Sequence, residues 1–204
     1  MSKVNSFPFP LILASQSPRR RQLLTESGYE FAIMPPAESA ESGVYRGESP
    51  ENMVARLARQ KAFDVMERID SGIVLGCDTV AECDGRVLGK PSDKEHAREM
   101  LRLLQGKEHR VLSGLCLCVR EADAPRHAVE IAITRLVMAP LPNDRIEDYL
   151  NTDQWRGKAG AFGYQDGHDW LRILEGSASN VVGLPLELLG EMLKGMFGRQ
   201  REDP

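Results

Sequence analysis

The stretch Ile73-Val-Leu-Gly-Cys-Asp-Thr-Val-Ala-Glu-Cys-Asp-Gly-Arg-Val-Leu88 decides the fold class. Ile73 to Cys77 is an unbroken apolar run around one glycine, the mark of a strand covered on both faces. Val80 to Leu88 then straddles Asp84-Gly85, a dipeptide that closes tight antiparallel hairpins. A buried strand that leads into a hairpin does not belong to a purely parallel sheet.

Working outward, strands and helices alternate. Leu11 to Ser15 reads as a short buried strand. Ser17-Pro18 opens a helix, with Ser as N-cap and Pro in the first position, and Gly28 stops it. Tyr29 to Met34 is extended and runs into a polar loop through Gly47. Ser49-Pro50-Glu51 repeats the opening signal for a helix of about twenty residues, its apolar face marked by Val54, Leu57, Ala58, Ala62 and Val65. Downstream, Ser92 with Glu95 predicts a capping box for a helix that Gly106 closes. Arg110 to Val119 and Ala128 to Ala139 are longer β-type runs. Asn143 is expected to cap a helix to Tyr149. A strand is expected near Leu171 to Leu174, and a last helix from near Pro185 to near Phe197. The pattern predicts an α/β protein with a mixed, partly antiparallel sheet and flanking helices, not a plain Rossmann fold.

The 204 residues suit one domain, read as 11–197, with an extension over 1–10 and a tail over 198–204. Twenty-six Lys and Arg against thirty Asp and Glu give a formal charge of −4. That argues against a dedicated duplex-DNA binder, which needs a basic face, but leaves room for a local basic pocket. Cys77, Cys83, Cys116 and Cys118 form no C-x-x-C, and the four histidines are scattered, so a structural zinc site is not expected. No run reaches the ~20 apolar residues of a membrane span, and the N-terminus is a poor secretory signal. A cytoplasmic protein without membrane partners is expected.

Four places could carry chemistry. Ser15-Gln-Ser-Pro-Arg-Arg-Arg21 sets hydroxyls and guanidiniums at a helix start, where unpaired N–H groups and the dipole favour phosphate. A capped helix with a solvated basic first turn is the plainer alternative. Lys61 lies on the apolar face of its helix, and two readings are open: a snorkelling stem, or an ammonium directed into a pocket. Asp78-Thr79 follows the buried strand, where open α/β sheets place their sites, and Asp78 suits a general base or a Mg²⁺ ligand. Lys90 returns towards Asp78 across the hairpin. Gly157 to Gly167 holds Gln165, whose amide could read a base edge, in a segment that otherwise reads as a flexible loop. P-loop, dinucleotide and nucleophile-elbow motifs are absent.

Leu11-Ile-Leu-Ala-Ser-Gln-Ser-Pro-Arg-Arg20, Leu57-Ala-Arg-Gln-Lys-Ala62, Gly76-Cys-Asp-Thr-Val80 with Gly89-Lys-Pro91, Lys158 to Gly167 and Val182-Gly-Leu-Pro185 together resemble the Maf family, the septum-formation-inhibitor-like nucleoside triphosphate pyrophosphatases. The resemblance spans Leu11 to Leu193. It implies a mixed α/β fold with a cleft between two lobes and a homodimer. It also implies hydrolysis of a nucleoside triphosphate to the monophosphate and pyrophosphate with Mg²⁺ or Mn²⁺. By position, Asp78 is the catalytic base and a metal ligand. Ser15, Arg20, Lys61 and Lys90 fall on the phosphate side; Arg19, Thr79 and Gln165 fall where base preference is set. Gln165 with Thr79 is similar to the dTTP/UTP branch. Glu38 and Glu41 compete as the acidic residue after the second strand, and Glu38 is assigned to the metal. The alternatives are a nucleotide-binding regulator of division with little turnover and a pyrophosphatase that prefers another or a modified base.

Overall fold

The computed structural model describes residues 7–41, 45–121 and 125–197. The expected tail and the first six residues of the expected extension lie outside the described residues. Of that extension, Phe7 packs on Phe197 and the Pro10 carbonyl accepts from the Ile73 N–H at 2.8 Å.

Leu11–Ala14 (β1) lies parallel between Phe31–Ile33 (β2) and Gly72–Cys83 (β3). On its other edge β3 pairs antiparallel with Glu108–Arg120 (β5), reached through the short strand Arg86–Leu88 (β4). Arg126–Met138 (β6) and Leu171–Glu175 (β7) extend the sheet, both antiparallel to their neighbours. The order is β2-β1-β3-β5-β6-β7, with β4 folded back on β3. The hairpin at Asp84-Gly85 forms as read: both residues take positive φ, 51° and 76°, as a two-residue turn between twisted strands requires.

Pro50–Met66 (α2) covers one face, setting Ala58, Ala62 and Val65 on Val74, Cys116 and Cys118. Pro18–Glu26 (α1) and Leu186–Phe197 (α6) cover the other, with Leu24, Leu189 and Leu193 on Ile73, Leu75 and Leu115. Lys94–Leu104 (α3) and Asn143–Asn151 (α4) build a further core around Trp155 at the hairpin end. Ala178–Val182 (α5) links β7 to α6. All four cysteines are free and buried, small apolar fillers as expected.

Two glycines set the height of α2. A Cβ on Gly76 would stand 2.2 Å from the Ala58 carbonyl oxygen, and one on Gly114 2.2 Å from that of Val54. The helix backbone therefore rests directly on β3 and β5, and its next turn carries Lys61 over Asp78.

Three details differ from the sequence reading. Asp93, not Ser92, caps α3, accepting from the His96 N–H at 2.8 Å. Asn143 is the first residue of α4, and Pro142 stands at the cap without a side-chain bond. The short helix α5 was not expected.

His109 on β5 is 3% exposed, lies edge-on to Phe162 and leaves its Nε2 without a partner among the described residues. Burial lowers its pKa to about 4, opposed by the Lys107 carbonyl and Glu82. The unfolded chain, with a histidine near pH 6.5, then takes up the proton first as pH falls. Stability present above that pH is expected to drop by about 2 kcal/mol by pH 5 from this group alone. Thermal melts at pH 7 and pH 5 check it: His109→Leu should shrink the difference between them, and an unchanged difference refutes the assignment.

Candidate active site

The sheet is split where the chemistry-bearing residues sit. Strand β1 pairs with β3 as far as Ala14 opposite Gly76, and β4 resumes that edge at Ala81 opposite Leu88. Between them, Cys77 to Val80 have no strand neighbour on that side among the described residues. Asp78 is therefore inside a long strand rather than at its end, because β5 continues to pair along the other edge through Glu82. Strand alternation turns Asp78 to the α2 face and Thr79 to the opposite one. The gap opens a cleft of about 320 Å³ reached by Ser15, Arg20, Glu41, Lys61, Asp78 and Lys90.

At one end of the cleft a lysine meets two carboxylates. Lys61 is 5% exposed; its Nζ donates to Asp78 Oδ1 at 2.7 Å and lies 3.4 Å from Glu41 Oε1. Of the two readings left open for Lys61, the ammonium directed into a pocket is the one realised. The stretch Glu38–Glu41 forms a 3₁₀ turn. It brings Glu41 to the cleft and leaves Glu38 exposed and outside its lining. The carboxylate that joins Asp78 at Lys61 is thus Glu41, and Glu38 does not reach it.

In the middle of the cleft stands Arg20. Ser17 caps α1, as its sequence signal predicts. The first helical turn then splits the arginines: Arg20 turns inward, Arg19 reaches the Gly157 carbonyl, and Arg21 is exposed. Arg20 Nε donates to the Gly183 carbonyl at 2.8 Å, Nη1 to Ser15 Oγ and Nη2 to Thr79 Oγ1, each at 3.2 Å. Thr79 in turn shares a 2.8 Å hydrogen bond with buried Ser113. Lys90 lines the cleft from the β4 side. Partial desolvation lowers its pKa; Glu41 opposes this, and Arg20 adds to it.

At the other end is a narrower pocket of about 60 Å³ between Arg19, Thr79, Lys90, Lys158, Phe162 and Gln165. Burial, then the charge of Arg20, lowers the Arg19 pKa. The Gly-rich segment is not a loose loop. It is made of two 3₁₀ turns, Ala159–Ala161 and Tyr164–Asp166, and the Gly160 N–H is tied to the Gly89 carbonyl. Gln165 is exposed on the rim.

Sequence reasoning gave no role to Ser113, Gly183 or Lys158. A lone hydroxyl in the apolar run Val111 to Val119 was the available signal for Ser113. Gly183 acts through its carbonyl, which residue type does not announce.

Among the described residues no group of three or more His, Cys, Asp and Glu could hold a metal ion. The donor set still fits a hard divalent cation. Mg²⁺ is commonly held by one or two carboxylates together with substrate phosphates, and Asp78 and Glu41 converge on one ammonium.

A split mixed sheet, with carboxylates in its gap and a cation-walled pocket beside them, defines the class: a mixed α/β protein with a charged cleft. The chain belongs to the Maf family: the family described as Maf-like protein matches residues 10–196. A dTTP/UTP pyrophosphatase of Rhodopirellula baltica is 52% identical over 188 residues, covering 92% of this chain and 82% of that protein. One from Clostridioides difficile is 38% identical over 92% of this chain and 95% of its own. One from Pyrococcus furiosus is 37% identical over 92% and 98%.

Proposed function

We propose that this chain hydrolyses dTTP and UTP to the nucleoside monophosphate and pyrophosphate. The observation that carries the reading is the meeting of Asp78 with Lys61 in a cleft that shares Ser17, Arg20, Thr79 and Lys90 with the adjoining Arg19–Gln165 pocket. The relatives bear the name of that activity.

The triphosphate lies along the cleft, its charge offset by Lys90 and by Arg20, which is held by its hydrogen bonds before substrate arrives. Ser15 and Thr79 hold the Arg20 guanidinium in place and leave part of its donor fork for phosphate oxygens. Asp78 takes the proton of the attacking water, and Lys61 fixes which carboxylate oxygen faces that water. Asp78 and Glu41 would hold Mg²⁺ or Mn²⁺, which when bound neutralises phosphate charge. At the far end, the Gln165 amide offers a donor and an acceptor to the O4 and N3–H edge that uracil and thymine share. A cytoplasmic homodimer completes the reading. Among the described residues no helix is long and apolar enough to cross a membrane.

The test is a panel of ordinary and modified triphosphates with Mg²⁺ or Mn²⁺, scored separately for pyrophosphate and orthophosphate. UTP and dTTP should give pyrophosphate and monophosphate fastest. Orthophosphate with diphosphate as products would overturn the reaction assigned. Tight binding without turnover would favour the regulator that the family resemblance also admits.

A further inference from the structure

We propose that the ion pair between Lys158 and Asp166 is a positioning device that fixes Gln165 on the pocket rim and so sets the preference for uracil and thymine; this rests on the reading of the pocket as the base site. Lys158 Nζ donates to Asp166 Oδ2, and the two side chains are 9% and 12% exposed. Taking both charges out of water is costly, and such a pair adds little net stability over an apolar replacement. Its placement therefore calls for a purpose other than stability.

The pair is built into the turn that carries Gln165. A Cβ on Gly163 would lie 2.4 Å from both Lys158 Nζ and Asp166 Oδ2, so the pair occupies the space a side chain at 163 would need. Within the turn, the Asp166 N–H donates to the Gly163 carbonyl and the Gly167 N–H to that of Tyr164, both at 3.3 Å. On the far side, the His168 ring stacks on Trp170 at 4.8 Å with Tyr149 edge-on at 5.0 Å. The His168 Nε2 of this ring pair lies 3.9 Å from Asp166 Oδ2.

Lys158 follows Gly157, whose carbonyl holds Arg19. Asp166 follows Gln165. The ion pair thus ties the Arg19 anchor to the Gln165 turn and fixes the distance between two walls of one pocket. Asp166 does not line that pocket; it acts through its neighbour.

The experiment measures kcat and KM for UTP and GTP in the wild type, Asp166→Asn, Gln165→Ala and the double variant. Asp166→Asn should lower the UTP-to-GTP ratio of kcat/KM about tenfold, mainly through a higher KM for UTP, comparable to one lost hydrogen-bonded pair. The double variant should fall no further than Gln165→Ala, because one residue works through the other. Parallel losses for both nucleotides, or losses that add in the double variant, would overturn the proposal in favour of a purely structural role. Should Asp166→Asn fail to fold, Lys158→Met/Asp166→Ala, which leaves no unpaired charge, carries the same expectation. A wild type that releases no pyrophosphate from UTP would sink the proposed reaction alone. The ratio is then read as calorimetric affinities for UTP and GTP, with the same expected and overturning results.

Discussion

Asp78→Asn is expected to cut pyrophosphate release from UTP by ~10²–10⁴-fold, the usual loss when a general base is removed. The substitution is nearly isosteric, and the amide oxygen can still accept from Lys61, which now lies 2.7 Å from Asp78 Oδ1. The local fold therefore has no reason to collapse. What disappears is a group able to take a proton and to carry negative charge towards a cation. The phosphate contacts proposed for Arg20 and Lys90 do not depend on it, so calorimetric affinity for UTP should change far less than turnover. Single-turnover release of pyrophosphate separates chemistry from binding. A variant that retains the wild-type single-turnover rate would show that the proton goes elsewhere, with Glu41 the first place to look.

The elements were legible where physics is local. Apolar runs announced β1, β3, β5 and β6; Ser-Pro pairs announced α1 and α2; Asp84-Gly85 announced the hairpin. The errors concern contacts between segments far apart in the chain. Asp78 read as a strand end because nothing in its own neighbourhood says that β1 stops at Ala14 while β5 continues. Two readings of Lys61 stayed open because the height of α2 depends on Gly76 and Gly114 meeting a helix backbone, a non-local fit. Ser92 and Asp93 are both good caps; Asp93 prevails by accepting from His96 N, while Glu95 turns to Arg98 and closes no capping box. The helix α5 is too short to show any periodicity. Glu38 and Glu41 are equivalent by composition, and only the path of the 3₁₀ turn separates them.

Lys61→Ala is expected to lower turnover about 10²-fold by misplacing the base, and the loss should appear in kcat more than in the affinity for UMP. The lysine is almost wholly buried, and its partner Asp78 keeps 14% of its side chain exposed. Removing the ammonium takes away the donor to Asp78 Oδ1, so Asp78 loses its fixed orientation. Breaking one side of such a pair also costs about 3 kcal/mol of stability, which melts of the variant would register. Stability and chemistry can be told apart because Lys61 itself lines the cleft. Truncation to Ala opens a space continuous with solvent, and a small alkylammonium ion can enter it. Ethylammonium should therefore raise the activity of Lys61→Ala in a saturable way while leaving the wild type unchanged. Arg20→Ala provides the contrast, since its loss should weaken UTP more than UMP and should not respond to the same amine. A Lys61→Ala variant with unchanged kcat but a KM for UTP raised as in Arg20→Ala would return Lys61 to the phosphate side and leave Asp78 without its orienting partner.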